Sequence, residues 1–371
     1  MVSCPNVNWA ITDSDISADN KMMIQSTLSP NIHLFDIEKS KYTDNITLKG
    51  NEQENNTLND FLSFFSLRVY SVKLSGDRQQ FIAGCGKTIG GAPIQVYDLE
   101  TNKVRNSIIA HSDDINSITY LNKENSSTFI STSDDGVSKL WDTRILENNK
   151  PVGIFYGHVS GVAYICSKED GRYFITNSKD QSIKLWDIRK STIQKMNYPF
   201  LKFDYRYEIL SAEHIEEIKK FQQKVDAAVM TFWGHQVHMS LIRCHFSPVY
   251  GTAQRYIYSG SYDGRIYIYD TVSGQNVLCL EQPNNGNALN GSVIRDCAWH
   301  PHSQQLISTN FLGELFRWEY FDVRDSDKME IEEIHNEKEN SCLSRGRSSN
   351  SDEPLEDEPI VFERSLLRDN M

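Results

Sequence analysis

Six times along the chain a short apolar run ends on an aromatic residue followed by an acidic one. These pairs are Phe35–Asp36, Tyr97–Asp98, Trp141–Asp142, Trp186–Asp187, Tyr269–Asp270 and Trp318–Glu319, at intervals of 62, 44, 45, 83 and 49 residues. The fullest copy is residues 154–189, IFYGHVSGVAYICSKEDGRYFITNSKDQSIKLWDIR. A Gly157–His158 pair opens it, an apolar alternation at Val162 and Tyr164 follows, and Lys168–Gly171 reads as a turn. Tyr173–Ile175 forms a second run, Ser178–Gln181 a second turn, and Ile183 and Leu185 a third run before Trp186–Asp187. Period-two apolar runs broken by Asp, Gly, Asn and Lys turns are half-buried antiparallel strands. A unit of this size cannot bury both faces of its own sheet, so several copies must stack on one another.

The polar residues of the repeat have a physical purpose. His158 and Asp180 fall at the same end of the strands, with Thr176 or Ser178 and the Trp186 indole within reach. A buried His donating to Asp, continued by a hydroxyl and the indole N–H, satisfies groups that are costly to bury alone. His111, Asp135 and Trp141 repeat the pattern, and His235 and Asp263 do so before Tyr269–Asp270. The last copy keeps Trp318 but has Leu312 at the turn and no Gly–His pair. This pattern resembles the WD-repeat blade, and the resemblance implies an all-β propeller over residues 1–320 with six visible blades. Residues 1–39 read as an incomplete blade. Propellers of this kind carry seven, so the first blade is expected to be missing, leaving unpaired edges and an open or strained ring.

Two intervals exceed the period, marking insertions at 40–60, Asn-rich and polar, and at 190–228. Within the second, AEHIEEIKKFQQKVDAAV has helical composition with Ile215, Ile218 and Val225 on one face. Residues 321–371 hold 15 acidic and 7 basic side chains, so they carry −8 of the net charge of −12. Acidic, Ser-rich and poor in aromatics, they read as a disordered tail.

Seven cysteines lie scattered without a CxxC pair, which argues against a disulfide framework or a zinc site. No apolar run is long enough to span a membrane, and an acidic chain is a poor default partner for nucleic acid. HExxH, GxxxxGK[ST] and GxSxG motifs are absent. Gly84–Cys85–Gly86–Lys87–Thr88 has the end of a phosphate loop without its glycine spacing, and reads as a turn. The expectation is therefore a protein with no catalytic residue, metal or cofactor, whose function lies in exposed side chains.

The exposed signal is an arginine two places after each full Trp–Asp: Arg144 and Arg189. The planar guanidinium suits interface centres because it makes several charge-assisted hydrogen bonds at once. Two such boxes in consecutive blades resemble the signature of substrate receptors of cullin-4 RING ubiquitin ligases. The long insertion with Phe203–Tyr207, the run LIRCHFSPVYGTAQRYIYSG and the segment VIRDCAWHP extend this likeness to the WD-repeat protein 23/LEC14B-like family, over roughly residues 7–320. The resemblance implies docking on damage-specific DNA-binding protein 1 and the cullin-4 core through Arg144, Arg189, Asp142 and Asp187. It also implies a protein substrate at the opposite face or channel mouth, with Arg243 and Arg295 as contacts, and cytoplasmic and nuclear localisation. The chain departs from the family at Ser138 and Asn177 and in showing six copies. A generic interaction scaffold or a truncated inactive isoform is the alternative reading.

Overall fold

The computed structural model describes residues 9–48, 67–194, 211–222, 226–238, 240–281, 293–320 and 362–366. They form six four-stranded antiparallel sheets, each with its strands in sequence order. Blade one holds β1 (Ile11–Ile16), β2 (Met22–Thr27), β3 (Asn31–Asp36) and β4 (Lys41–Thr47), and blade two holds β5 (Val69–Leu74), β6 (Gln80–Cys85), β7 (Ala92–Asp98) and β8 (Lys103–His111). Blade three holds β9 (Ile115–Tyr120), β10 (Thr128–Ser133), β11 (Ser138–Asp142) and β12 (Gly153–Phe155). Blade four holds β13 (Val162–Ser167), β14 (Tyr173–Ser178), β15 (Ser182–Asp187) and β16 (Met230–Trp233). Blade five holds β17 (Cys244–Phe246), β18 (Tyr256–Ser259), β19 (Arg265–Asp270) and β20 (Asn276–Glu281). Blade six holds β21 (Ile294–Trp299), β22 (Gln305–Asn310), β23 (Leu315–Tyr320) and β24 (Phe362–Leu366).

Two of these elements differ from the sequence expectation, and a helix forms where it was expected. Blade one is complete, because Lys41–Thr47, assigned above to an insertion, pairs with β3 through Ile32–Ile46 and Phe35–Tyr42. Its polar residues face solvent on the outermost strand, which hides it from an apolar pattern. Phe362–Leu366, assigned to the acidic tail, pairs antiparallel with β23. In the other insertion, helix α1 (Ala212–Gln222) forms and buries Ile218, while Val225 lies outside the described residues. Lys219 sits over the Trp233 ring at 5.4 Å and fastens the helix to β16.

Apolar side chains from consecutive sheets interlock in five clusters. Blades one and two meet at Ile24, Leu34, Val72 and Phe81, and blades two and three at Ile94, Ile118 and Trp141. Phe155 packs on Phe174 and Trp186 between blades three and four. Ile183, Phe232 and Ile257 join four to five, and Ile268, Leu306 and Trp318 join five to six. Among the described residues no cluster joins blade six to blade one. Ile11 and Ile16 on β1, and Ile307 and Leu315 on blade six, are exposed instead.

Within the blades the buried polar chain takes the form the repeat predicts. In blade four, Asp180 accepts from His158 Nδ1 at 2.9 Å, His158 Nε2 meets Thr176 Oγ1 at 2.7 Å, and Thr176 accepts from the Trp186 indole at 2.7 Å. Blade three repeats this with His111, Asp135, Ser131 and Trp141 at 2.8–2.9 Å. Burial pushes the Asp180 carboxyl up, but His158, Lys184 and Ser182 outweigh it and hold the group at about 2. Gly157 completes the motif: a Cβ there would lie 2.5 Å from Asp226 Oδ1 and 2.7 Å from the Trp186 ring. Asp226 belongs to the insertion and pairs with the fully buried Lys184.

Blade five is the exception. His235 and Asp263 do not meet. His235 Nε2 lies 2.9 Å from Asn177 Oδ1 in blade four and Nδ1 lies 3.1 Å from the Tyr269 hydroxyl, while Asp263 accepts from Tyr267. Tyr269 stands where blades three, four and six have tryptophan, so the histidine is offered a hydroxyl. Burial lowers its pKa to about 4. In blade six, Trp318 still donates to Ser308 at 3.0 Å, with no histidine behind it.

The inner strands surround a cavity of about 210 Å³ to which every blade contributes, among them Asp13, Ser71, Ser117, Tyr164, Arg243 and Arg295. Asp13 accepts from Ser71 Oγ at 2.7 Å, Val72 N at 3.2 Å and Lys73 Nζ at 3.0 Å, and Arg243 reaches it across the cavity at 3.0 Å. Arg243 also donates to Thr12 O at 3.0 Å and to Asp296 at 3.3 Å, and lies over the Tyr164 ring. His245 donates to the other Asp296 oxygen at 2.8 Å.

Two measurements test this account. Trp186→Ala is expected to lower stability by about 3–5 kcal/mol in equilibrium denaturation, as truncation of a buried aromatic does. Unfolding at the wild-type midpoint would mean that the ring does not key blades three and four together. The second concerns pH. Burial pushes the His245 imidazole down, but hydrogen bonds to Asp296 and Cys166 prevail and raise it to about 9. Because this exceeds the unfolded value of about 6.5, the contribution is complete below pH 6.5 and is lost as pH rises toward 9. The loss is up to about 3 kcal/mol. Asp296→Asn should flatten that limb, and parallel pH profiles for variant and wild type would refute the assignment.

Candidate functional site

The strands fix which residues face outward. In blades three and four the third strand runs away from the His/Asp turn and ends on the Trp–Asp pair, so the residue two places further lies on the opposite face of the ring. Arg144 and Arg189 sit there in matching poses. The Arg144 Nε and backbone N–H both donate to Asp142 at 2.9 Å, and the same groups of Arg189 donate to Asp187 at 3.1 and 3.0 Å. Asp187 also accepts from Arg172 at 2.9 Å. The carboxylates are 12% and 6% exposed, whereas the Arg144 and Arg189 side chains are 71% and 64% exposed. Each arginine is therefore held at its base and open at its outer edge. The Arg144 hydrogen bonds keep the Asp142 carboxyl below its ordinary value.

The chemistry of such an arrangement suits recognition. Arginine keeps its proton at any ordinary pH, and a half-occupied guanidinium has donors left for a carboxylate or carbonyl of a partner. A surface ion pair of this kind adds little to stability, so holding the side chain in one rotamer is its main physical effect.

Asp142 and Asp187 serve as anchors for the arginines. Among the candidates for the opposite face, Arg243 and Arg295 both line the central cavity. They are joined through the backbone, Arg243 N donating to Arg295 O at 2.9 Å. The Arg243 guanidinium is engaged by Asp13, Asp296 and the Thr12 carbonyl, and its side chain is 17% exposed. What sequence reasoning missed here is Asp13. It stands in a polar stretch, ITDSDI, with nothing local to mark it as buried. Asn177, a departure from the family pattern, has a role in this structure: it accepts from His235 and donates to Ile242 O at 3.1 Å, linking blades four and five.

Among the described residues no cluster of three or more His, Cys, Asp or Glu side chains is placed to hold a metal ion. Lys87 and Thr88 lie in the tight turn between β6 and β7, where Thr88 Oγ1 donates to Gly91 O at 2.7 Å.

The model of the WD domain, G-beta repeat, matches residues 102–142, 149–187 and 228–270, which include the two arginine-bearing blades. Among curated proteins, LEC14B protein of Lithospermum erythrorhizon is 37% identical over 330 residues, covering 85% of this chain and 64% of that protein. The DDB1- and CUL4-associated factor 11 homolog of Caenorhabditis briggsae is 34% identical, covering 67% of this chain and 44% of that one. This chain thus spans 64% of the length of the LEC14B proteins it matches. Among solved structures, the crystal structure of RRP9 WD40 repeats superimposes with a TM-score of 0.59 at 14% identity, covering 85% of this chain and 78% of that one, a likeness of fold alone. Six stacked blades, the shared polar chains and this similarity along most of its length make the chain a WD-repeat propeller of the LEC14B-like family.

Proposed function

We propose that this chain is the substrate-recognition subunit of a cullin-4 RING ubiquitin ligase, seated on the adaptor damage-specific DNA-binding protein 1 through the Arg144/Arg189 face. The observation that carries the reading is the pair of boxes themselves. Two arginines in consecutive blades hold one pose, anchored at the base and open at the edge. A protein-interaction scaffold of the broader WD-repeat kind has no need for that duplication. The name of the worm relatives, DDB1- and CUL4-associated factor 11 homolog, supports the same partner.

In this reading the chain does no bond chemistry. It holds a protein substrate on the opposite side of the ring so that a substrate lysine stays near the ligase's charged conjugating enzyme, and proximity supplies the acceleration. The channel mouth beside Arg243 and Arg295 is the proposed substrate side. Arg243 contributes there mainly by shaping the wall, since its donors are engaged within the ring.

The test is capture of the purified adaptor by the wild type and by the Arg144→Ala/Arg189→Ala double variant. Loss of two interface anchors should weaken binding by at least about 2 kcal/mol, roughly thirtyfold. Melting should change by less than about 1 kcal/mol, because exposed ion pairs contribute little. Unaltered binding in a folded double variant would overturn the docking face. A folded wild type that does not bind the adaptor would favour the scaffold reading.

A further inference from the structure

Between the two arginine boxes the chain makes an unusual crossing. After the 3₁₀ turn Ile188–Lys190, which Asp187 caps, the backbone leaves blade four and lies along the outer strand of blade three. Ile154 N donates to Thr192 O at 2.7 Å and Thr192 N donates back to Ile154 O at 3.0 Å. Gly153 allows this approach, because a Cβ there would stand 2.5 Å from Ser191 Oγ. Residues that belong to Arg189's blade by sequence are thereby laid against Arg144's blade.

The crossing leaves an open groove of about 450 Å³, lined by Ile145, Asn148, Lys150, Pro151, Val152 and Ile193. Its apolar floor is exposed: Ile145 by 48%, Val152 by 41% and Ile193 by 79%. An isoleucine this open gains nothing for folding, and burying it would contribute about 1.5–3 kcal/mol to an association. Ile145 follows Arg144 directly and Ile193 lies four residues after Arg189, so the groove is continuous with both boxes. Lys150 lines it, and Arg144, Arg189 and Lys190, all exposed, flank its lining residues along the chain and add basic charge, whereas the carboxylates of Asp142 and Asp187 are largely covered.

An apolar floor flanked by basic charge selects a particular chemistry. We infer that this groove is the apolar centre of the adaptor contact, receiving from the adaptor a segment that places an apolar side chain on Ile145, Val152 and Ile193 with carboxylates beside it for Arg144 and Arg189. The inference rests on the ligase reading above and adds its energetic centre. Interface energy concentrates where an apolar anchor is desolvated, and charged groups around it add orientation and speed of encounter. The arginines thus align the partner and the groove holds it.

The experiment uses the full chain and the purified adaptor. Ile193→Glu sets a carboxylate in the groove and Ile193→Leu keeps it apolar, each compared with the wild type and the arginine double variant by affinity and melting temperature. Ile193→Glu should weaken binding at least about tenfold with melting unchanged, since Ile193 touches no core cluster, and Ile193→Leu should stay within about threefold of wild type. Added salt should weaken the wild type more than the arginine double variant. If Ile193→Glu binds as the wild type does while the arginine variant fails, the groove is not the centre and the ligase reading stands without it. A wild type that does not bind the adaptor overturns both.

Discussion

The Asp13 carboxylate is the point on which the ring depends. It sits on the innermost strand of blade one, nearly inaccessible, and gathers donors from blade two and from blade five. A buried carboxylate is costly unless its charge is matched and its lone pairs are filled. Here burial pushes its pKa up, but Lys73, Arg243 and the Ser71 hydroxyl outweigh it and hold the group ionised, below its ordinary value. Each partner shares in matching that charge, so the carboxylate ties the inner strands of blades one, two and five to one another. Apolar packing closes five seams between blades. Across the remaining gap, the contact from blade five to blade one is polar and runs through the cavity.

Blades three and four show why the repeat could be read so directly. Tryptophan offers one N–H, the hydroxyl passes it on, histidine accepts on one nitrogen and donates from the other, and aspartate closes the chain. Every proton has a destination, so the residue types and their spacing constrain one another. Blade five breaks the pattern at one residue. Tyr269 brings its own hydroxyl to His235, whose Nε2 then turns to Asn177 in the neighbouring blade. The motif letters Gly–His and Asp survive there while the contact they stand for does not.

Sequence therefore revealed most where an interaction is local and repeated. The blade cores, the turns and the outward direction of Arg144 and Arg189 follow from period-two patterning and from the length of the repeat. The strand Lys41–Thr47 was hidden because an outermost strand is solvated on its exposed positions and looks like a polar loop. Phe362–Leu366 was hidden because its pairing is a tertiary choice made 42 residues after β23, in acidic surroundings. Asp13, Arg243 and Asp296 lie far apart in sequence, 230 residues separating the first two, and no local rule joins them. The Ile145/Ile193 groove was invisible for the same reason, since it exists only because Thr192 pairs with a strand of the preceding blade.

These two kinds of polar residue explain how a propeller with this many charged groups serves recognition. In the cavity the charges answer one another: Arg243 to Asp13 and Asp296, and His245 to Asp296. They are bound into the ring and specify its shape. On the Arg144/Arg189 face the pairing is one-sided, because each aspartate takes the inner edge of its arginine and buries itself in doing so. The outer edge stays available in a fixed direction, which lowers the conformational entropy a partner must remove on binding. The same Trp–Asp unit that locks a blade to its neighbour thus holds, two residues later, a preoriented cation at the surface, which is the feature the proposed docking face uses.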